Sequence, residues 1–339
     1  MHFGRESERI KNAKVYAEAT AHTHAETGPA EPVERGSKAY DRIFKIQTDI
    51  EAKGATDYRA FAQNMWEIVT GARSDEQNPN YKALEGGIIA GLHDIPMKNL
   101  VYPHVSESIA ALIEQHKDSV AHLSLWSAGD VESTRYQSAK IYGSGIVQKF
   151  RQALIAQLGT QEGRRLLQEN TSWEVADNKF KNLVAYMGGV LAANDGRVKA
   201  VIIEDSVKSF DTVSKYLKEA FGNDYERIDL IPIWATYSRE GTQAEQKARD
   251  AGALAQFEAT KRNLNAIGSF SELLDKDRFA EILKDAHVFV DFDGVIGDNL
   301  RMRDAQASAI LSAAVDAFSH EWGVERSAAR ERIIEKLSS

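Results

Sequence analysis

The sequence has no cysteine, so disulfides, thiolate nucleophiles and cysteine-ligated metals are excluded. Nothing here calls for an oxidising compartment, and a cytoplasmic setting is expected. No apolar run is long enough to cross a bilayer, so no membrane is expected as a partner. The opening stretch, MHFGRESERIKNAKVYAEAT, is charged and has no apolar signal-peptide core. Positive charge is in deficit. Lys and Arg total 42 against 50 Asp and Glu, a net charge of −8, which argues against general nucleic-acid binding. A phosphorylated small molecule stays open, because a few local cations or a metal can hold one. No internal repeat or low-complexity segment stands out.

What is present is ordinary for a globular chain: 43% hydrophobic and 27% charged residues in 339, enough for one large domain or two modest ones. Residues 5–20 read as a helix and 21–38 as a linker rich in Gly, Pro, Thr and charge. His22 and His24 lie in that linker, but no carboxylate or third histidine is spaced to complete a metal site with them. Residues 39–72 carry apolar residues at helical spacing, and Tyr58, Phe61, Trp66 and Ile68 read as packing. From about residue 100 the pattern changes. Strand-like runs (SVAHLSLW, VKAVIIED, RIDLIPIWAT, HVFVDFDG) alternate with helical ones (VSESIAALIEQHKD, RYQSAKIYGSGIVQKF, KFKNLVAYMGGVLAAN, SFDTVSKYLKEAFG, QAEQKARDAGALAQFEATKRNLN). The strands are continuously apolar, the mark of a parallel sheet covered on both faces. The expected fold is therefore α/β, a three-layer Rossmann-like parallel sheet.

Ligands of such sheets bind beyond the carboxyl ends of the strands. Here those ends carry Ser127, the pair Glu204 and Asp205, and the pair Asp291 and Asp293 followed by Gly294; Lys179 and Lys181 open a helix between them. Each has a bland explanation as a cap or turn residue. Together at one side of one sheet they fit phosphoryl transfer. Asp291 suits nucleophilic attack on phosphorus, giving an aspartyl-phosphate. Asp293, two residues on along an extended strand, shares its side and suits acid/base work. Two anions repel, so a divalent cation is needed, and Mg²⁺ takes oxygen ligands. Asp291, Asp293 through its backbone carbonyl, Asp205 and Glu204 are its expected ligands. Ser127, Ala128, Gly294 and a lysine, Lys179 or its competitor Lys181, are expected around the phosphate.

The stretches DFDGVIGDN, LSLWSAGD and VIIEDSVKSFD, with the helix-opening Lys179, resemble the four motifs of the haloacid dehalogenase (HAD)-like hydrolase superfamily. An accessory aspartate usually follows the fourth motif by three or four residues; here Asp211 comes after five. The resemblance implies a phosphatase or phosphomutase acting on a small phosphorylated substrate, with Mg²⁺ and a helical cap beside the core. The motif order is unusual: second (127), third (179), fourth (205), then first (291–293). That order implies a circularly permuted HAD-like chain opened inside the cap. The expected organisation is residues 1–38 as N-terminal helix and linker, 39–98 as part of the cap, 99–298 as the α/β core and 299–339 as the rest of the cap. In that arrangement the strand ending at Asp291 should lie between those ending at Ser127 and Asp205.

The neighbouring enzymatic reading is a phosphomutase, and the reading from another class is a non-catalytic scaffold that binds a phosphorylated ligand or a protein. Arg301, Arg303 and Arg239 could hold a second anionic group, although a solvated surface arginine is the plainer reading for each. Trp126 and Trp234 read as core, and His104 and His122 as structural. The oligomeric state is left open by the sequence.

Overall fold

The computed structural model describes residues 32–51, 58–103, 105–116, 120–128, 140–141, 143–169, 171–176, 179–237 and 265–339. The expected helix at 5–20, His22, His24, His104, Arg239 and most of the helix expected at 243–265 lie outside them. Along the chain run α1 (Lys38–Glu51), α2 (Tyr58–Thr70), α3 (Pro79–His93), α4 (Val105–His116), β1 (His122–Ala128), α5 (Ile146–Glu169), β2 (Thr171–Ala176) and α6 (Lys179–Ala193). There follow β3 (Val198–Glu204), α7 (Val207–Phe221), β4 (Ile228–Ala235), β5 (Asn265–Ile267), α8 (Lys276–Leu283), β6 (Ala286–Asp291), α9 (Asn299–Trp322) and α10 (Arg326–Ser338).

The chain divides into two compact units: residues up to Ile95 together with Arg303–Ser339, and Pro96–Met302. The first is helical among its described residues. Asn78 caps α3, its side chain accepting from the amides of Asn80 and Tyr81, with Pro79 in the first turn where its missing N–H costs nothing. Tyr81, Leu84, Ile88 and Leu92 recur at helical spacing and are buried. The ring of Trp66 packs edge-on to Tyr81, centroids 5.7 Å apart, and 5.0 Å from that of Phe318. A Cβ on Gly87 would come within 3.1 Å of the Ala313 Cβ, so α3 and α9 approach closely through small residues. Arg303 stacks over the Phe44 ring of the same unit, 5.6 Å from its centroid.

The second unit is an α/β domain built on six parallel strands in the order β2-β1-β6-β3-β4-β5. Continuous apolar runs give this sheet because both its faces are buried. In β6, Val288, Phe289 and Val290 are all buried although consecutive residues point to opposite faces. On one face α6 and α7 contribute Leu183, Met187, Leu191, Phe210, Val213 and Leu217 to a core with Trp126, Ile202, Trp234 and Phe289. The last strand in sequence thus occupies a central place. β6 pairs with β1 through Trp126 opposite Asp291, and with β3 through Ile203 opposite Val290. Two strands go beyond the sequence reading. β2 lies at one border of this sheet and β5 has only three residues. α5 is also longer than expected and is interrupted at Gly159, where φ is 79°.

The chain leaves β6 through a tight loop. Gly294 has φ 78°, a conformation open chiefly to glycine, and donates its amide to the Gly297 carbonyl at 3.0 Å. The amides of Ile296 and Gly297 both donate to the Phe292 carbonyl. A Cβ on Gly297 would lie 2.9 Å from Met302 Cε and 3.1 Å from Phe292 Cε1, so a larger residue would have to push both side chains aside. Outer contacts hold the loop as well: Tyr102 N to Ile296 O at 2.9 Å, Asp298 N to Leu100 O at 2.7 Å and the Tyr237 hydroxyl to Val295 O at 2.7 Å.

Candidate active site at the carboxyl ends of β1, β6 and β3

Neighbouring parallel strands lie about 4.8 Å apart, so side chains at adjoining strand ends meet. The order β1-β6-β3 therefore sets Ser127, the Asp291–Asp293 segment and the Glu204–Asp205 pair side by side. The Lys179 ammonium group, at the start of α6, donates to Glu204 Oε1 at 2.5 Å and lies 2.9 Å from Asp291 Oδ1. Lys179 also lies over the Trp126 ring, 5.4 Å from its centroid. Of the two competing lysines it is Lys179 that reaches the carboxylates; Lys181 is exposed.

Asp293 has a separate set of partners. The Ser127 hydroxyl donates to Oδ2 at 3.1 Å, and Lys140 Nζ donates to Oδ1 at 2.6 Å. Lys140 is 4% exposed, whereas the Asp293 side chain keeps 31% of its surface open. Sequence reasoning misses Lys140. It sits in RYQSAKIYGSGIVQKF, where nothing in the mixed helical pattern distinguishes it from Lys149 or from any solvated lysine.

The acidic groups respond to these surroundings. Burial raises the Asp291 carboxyl, with Asp293 adding to the rise and Lys179 opposing it. Burial likewise pushes Glu204 well up, with Asp291 adding and Lys179 opposing. Burial works against the charge on Lys179, but Asp291 and Glu204 outweigh it and raise the ammonium group. Asp293 goes the other way: burial would raise it, but Lys140, then Ser127, hold it below the usual carboxylate range.

The donor set can be tested against a metal. Carboxylate oxygens of Glu204, Asp205 and Asp291 all lie within 4.8 Å of one another. All the donors are oxygen, which suits a hard cation such as Mg²⁺. Burial and mutual repulsion raise two of the three, and a cation placed among them would reverse both effects. These residues therefore fit a divalent ion. Trp234 steadies the third member, its indole N–H donating to the Asp205 carbonyl at 3.0 Å. The Asp293 carboxylate stands outside this group, engaged by Ser127 and Lys140.

Other expected residues fall as follows. Gly294 supplies the turn, but its amide is engaged with Gly297. Ala128 ends β1 beside Ser127. Asp211 lies on α7 and is not part of the three-carboxylate group. Arg301 is exposed, and Trp126, Trp234 and His122 are buried. Compared with models of protein families, curated proteins and solved structures, the chain matches none.

Proposed function

We propose that this chain is a Mg²⁺-dependent phosphohydrolase, a circularly permuted HAD-like phosphatase cleaving a small phosphorylated metabolite through an aspartyl-phosphate on Asp291. The observation that carries the reading is the strand order. The DFDG strand lies between the strand ending at Ser127 and the strand ending at Glu204, although it comes last in sequence. Four sequence elements separated by up to 166 residues thus form one cluster.

Asp291, Asp205 and Glu204 would hold the ion, which when bound offsets the repulsion between the attacking carboxylate and the phosphate. In the first step an Asp291 carboxylate oxygen forms a bond to phosphorus while the ester P–O bond breaks, its electron pair leaving with the alcohol oxygen. Asp293, which the incoming phosphate's negative charge drives towards its protonated form against the pull of Lys140, supplies the proton to that oxygen. In the second step a water oxygen bonds to phosphorus, the bond to Asp291 breaks and returns its pair to the carboxylate, and Asp293 takes the water proton. Ser127 lies within hydrogen-bond reach of Asp293 and is placed to turn its hydroxyl to a phosphate oxygen once substrate arrives. Lys179 balances charge on Asp291.

A second reading has one observation in its favour. Lys179 already joins Glu204 and Asp291 into a closed buried ion-pair triad, which a non-catalytic phospholigand-binding scaffold could use for specificity alone. A phosphomutase would share the first step and differ in the fate of the intermediate. Release of inorganic phosphate from a panel of phosphorylated metabolites, with Mg²⁺ and with a chelator, separates the three. Metal-dependent phosphate release supports the phosphatase, isomerised phosphoester without release the mutase, and no turnover the scaffold.

A further inference from the structure

Among the described residues, Lys140 is a buried cation at this site that the two-step chemistry above does not use. Its ammonium group lies 2.6 Å from Asp293 Oδ1, while Ser127 takes Oδ2 at 3.1 Å. The two donors bracket the carboxylate from both oxygens, and such two-point contact fixes its rotamer. The exposures give the direction. Lys140 is 4% exposed and Asp293 31%, so the lysine supports the carboxylate from the protein side and leaves its open surface to substrate and water. Phe292, the residue between the two aspartates, is 1% exposed, and Lys140 Nζ lies 5.9 Å from its ring centroid. The lysine is therefore held against the same loop that carries Asp293. A cation meant to bind substrate phosphate would be expected on the open side instead.

We infer that Lys140 is a positioning residue for Asp293, holding that carboxylate where it takes the proton of the water that attacks the aspartyl-phosphate. The inference rests on the phosphohydrolase reading. It divides the two lysines by step: Lys179 serves the Asp291 nucleophile, and Lys140 serves the turnover of the intermediate through Asp293. In the step concerned, water oxygen bonds to phosphorus, the P–O bond to Asp291 breaks with its pair returning to the carboxylate, and the water proton passes to Asp293.

An aryl phosphate isolates this step, because its leaving group departs without needing a proton. For the full chain with Mg²⁺ and p-nitrophenyl phosphate, Lys140→Met is expected to lower kcat roughly ten- to a hundredfold, less than removal of an acid/base itself. KM falls with kcat, because the second step becomes limiting while kcat/KM still reports the first. Acid-quenched protein then carries more phosphate on Asp291 than the parent does, and Lys140→Arg restores both kcat and the parent's low phosphoprotein level. Where Lys140→Met does not fold, Lys140→Leu, which likewise offers Asp293 no donor, is read the same way. A fall in kcat with KM unchanged and no added phosphoprotein would mean a structural role and overturn the inference. A rise in KM at constant kcat would make Lys140 a substrate-binding cation and overturn it too, as would a variant indistinguishable from the parent. Failure of the underlying reading looks different: the parent itself then neither hydrolyses the ester nor becomes phosphorylated.

Discussion

At the ends of β1 and β6 remote from the carboxylates, His122 and His287 sit directly opposite one another on neighbouring strands. The His122 ring stacks on Tyr186 of α6 with centroids 4.9 Å apart, and the Tyr186 hydroxyl is hydrogen-bonded to His287 Nδ1 at 2.8 Å. Burial, then the neighbouring His287, pushes His122 down to about 4 from an ordinary 6.5. Burial lowers His287 as well. The unfolded chain therefore binds a proton at His122 at a higher pH than the folded chain does. Stability from the neutral ring is fully present above the unfolded value and is lost as pH falls towards the folded one. Across that window each pH step of one costs about 1.4 kcal/mol, so His122 contributes a loss of about 2 kcal/mol by roughly pH 5 and about 3 kcal/mol by roughly pH 4. His122→Phe keeps a flat ring against Tyr186 and removes the titration. The assay is urea unfolding followed by tryptophan fluorescence from neutral to mildly acidic pH. The parent should lose stability relative to His122→Phe by those amounts across that window. Parallel curves for the two proteins would refute the account of a buried neutral histidine.

Three further outcomes concern the site and its loop. Lys179→Met leaves Glu204 and Asp291 buried without their shared cation and should cost about 3–5 kcal/mol at neutral pH by denaturant unfolding, less as acid protonates the two carboxyls; an unchanged midpoint contradicts the triad. Mg²⁺ should raise the thermal midpoint, by the equivalent of about 2.7 kcal/mol at roughly a hundredfold excess over its dissociation constant, and Asp205→Asn should weaken that response without abolishing folding. Gly297→Ala forces a methyl group against Met302 and Phe292 and should destabilise by about 1–3 kcal/mol in the same unfolding assay, with no gain expected from any added helix propensity because 297 lies in the loop.

The parts of the fold legible in the sequence are those where one physical signal dominates. The runs AVIIE in β3 and VFV in β6 are apolar almost throughout because strands inside a parallel sheet bury both faces. Carboxylates and a serine at the ends of such runs sit where parallel sheets bind ligands, so Ser127, Glu204, Asp205, Asp291 and Asp293 can be brought together from sequence alone. β2 escapes that reading, because TSWEVA at a sheet border mixes polar and apolar residues and lacks the continuous apolar run. β5 is too short to carry a period. Choosing Lys179 over Lys181 needs the direction of side chains in the first turn of α6, which residue type alone does not give. Lys140 is invisible for a different reason. What makes it notable is its burial against Asp293, 153 residues away in sequence, and no local pattern encodes a pairing that distant. The expected role of Gly294 is only half legible: its positive φ follows from the turn, but the engagement of its amide by Gly297 depends on how the loop closes.

The most direct test of the central claim is where phosphate becomes attached. Full-length protein is mixed with a phosphoester substrate and Mg²⁺, quenched in acid and mapped by peptide mass spectrometry, alongside Asp291→Asn. The account predicts a labile phosphate on the peptide bearing Asp291 in the parent, with inorganic phosphate released, and neither adduct nor release in Asp291→Asn. Hydrolysis that persists in Asp291→Asn, or a phosphate carried on any other residue, would contradict it.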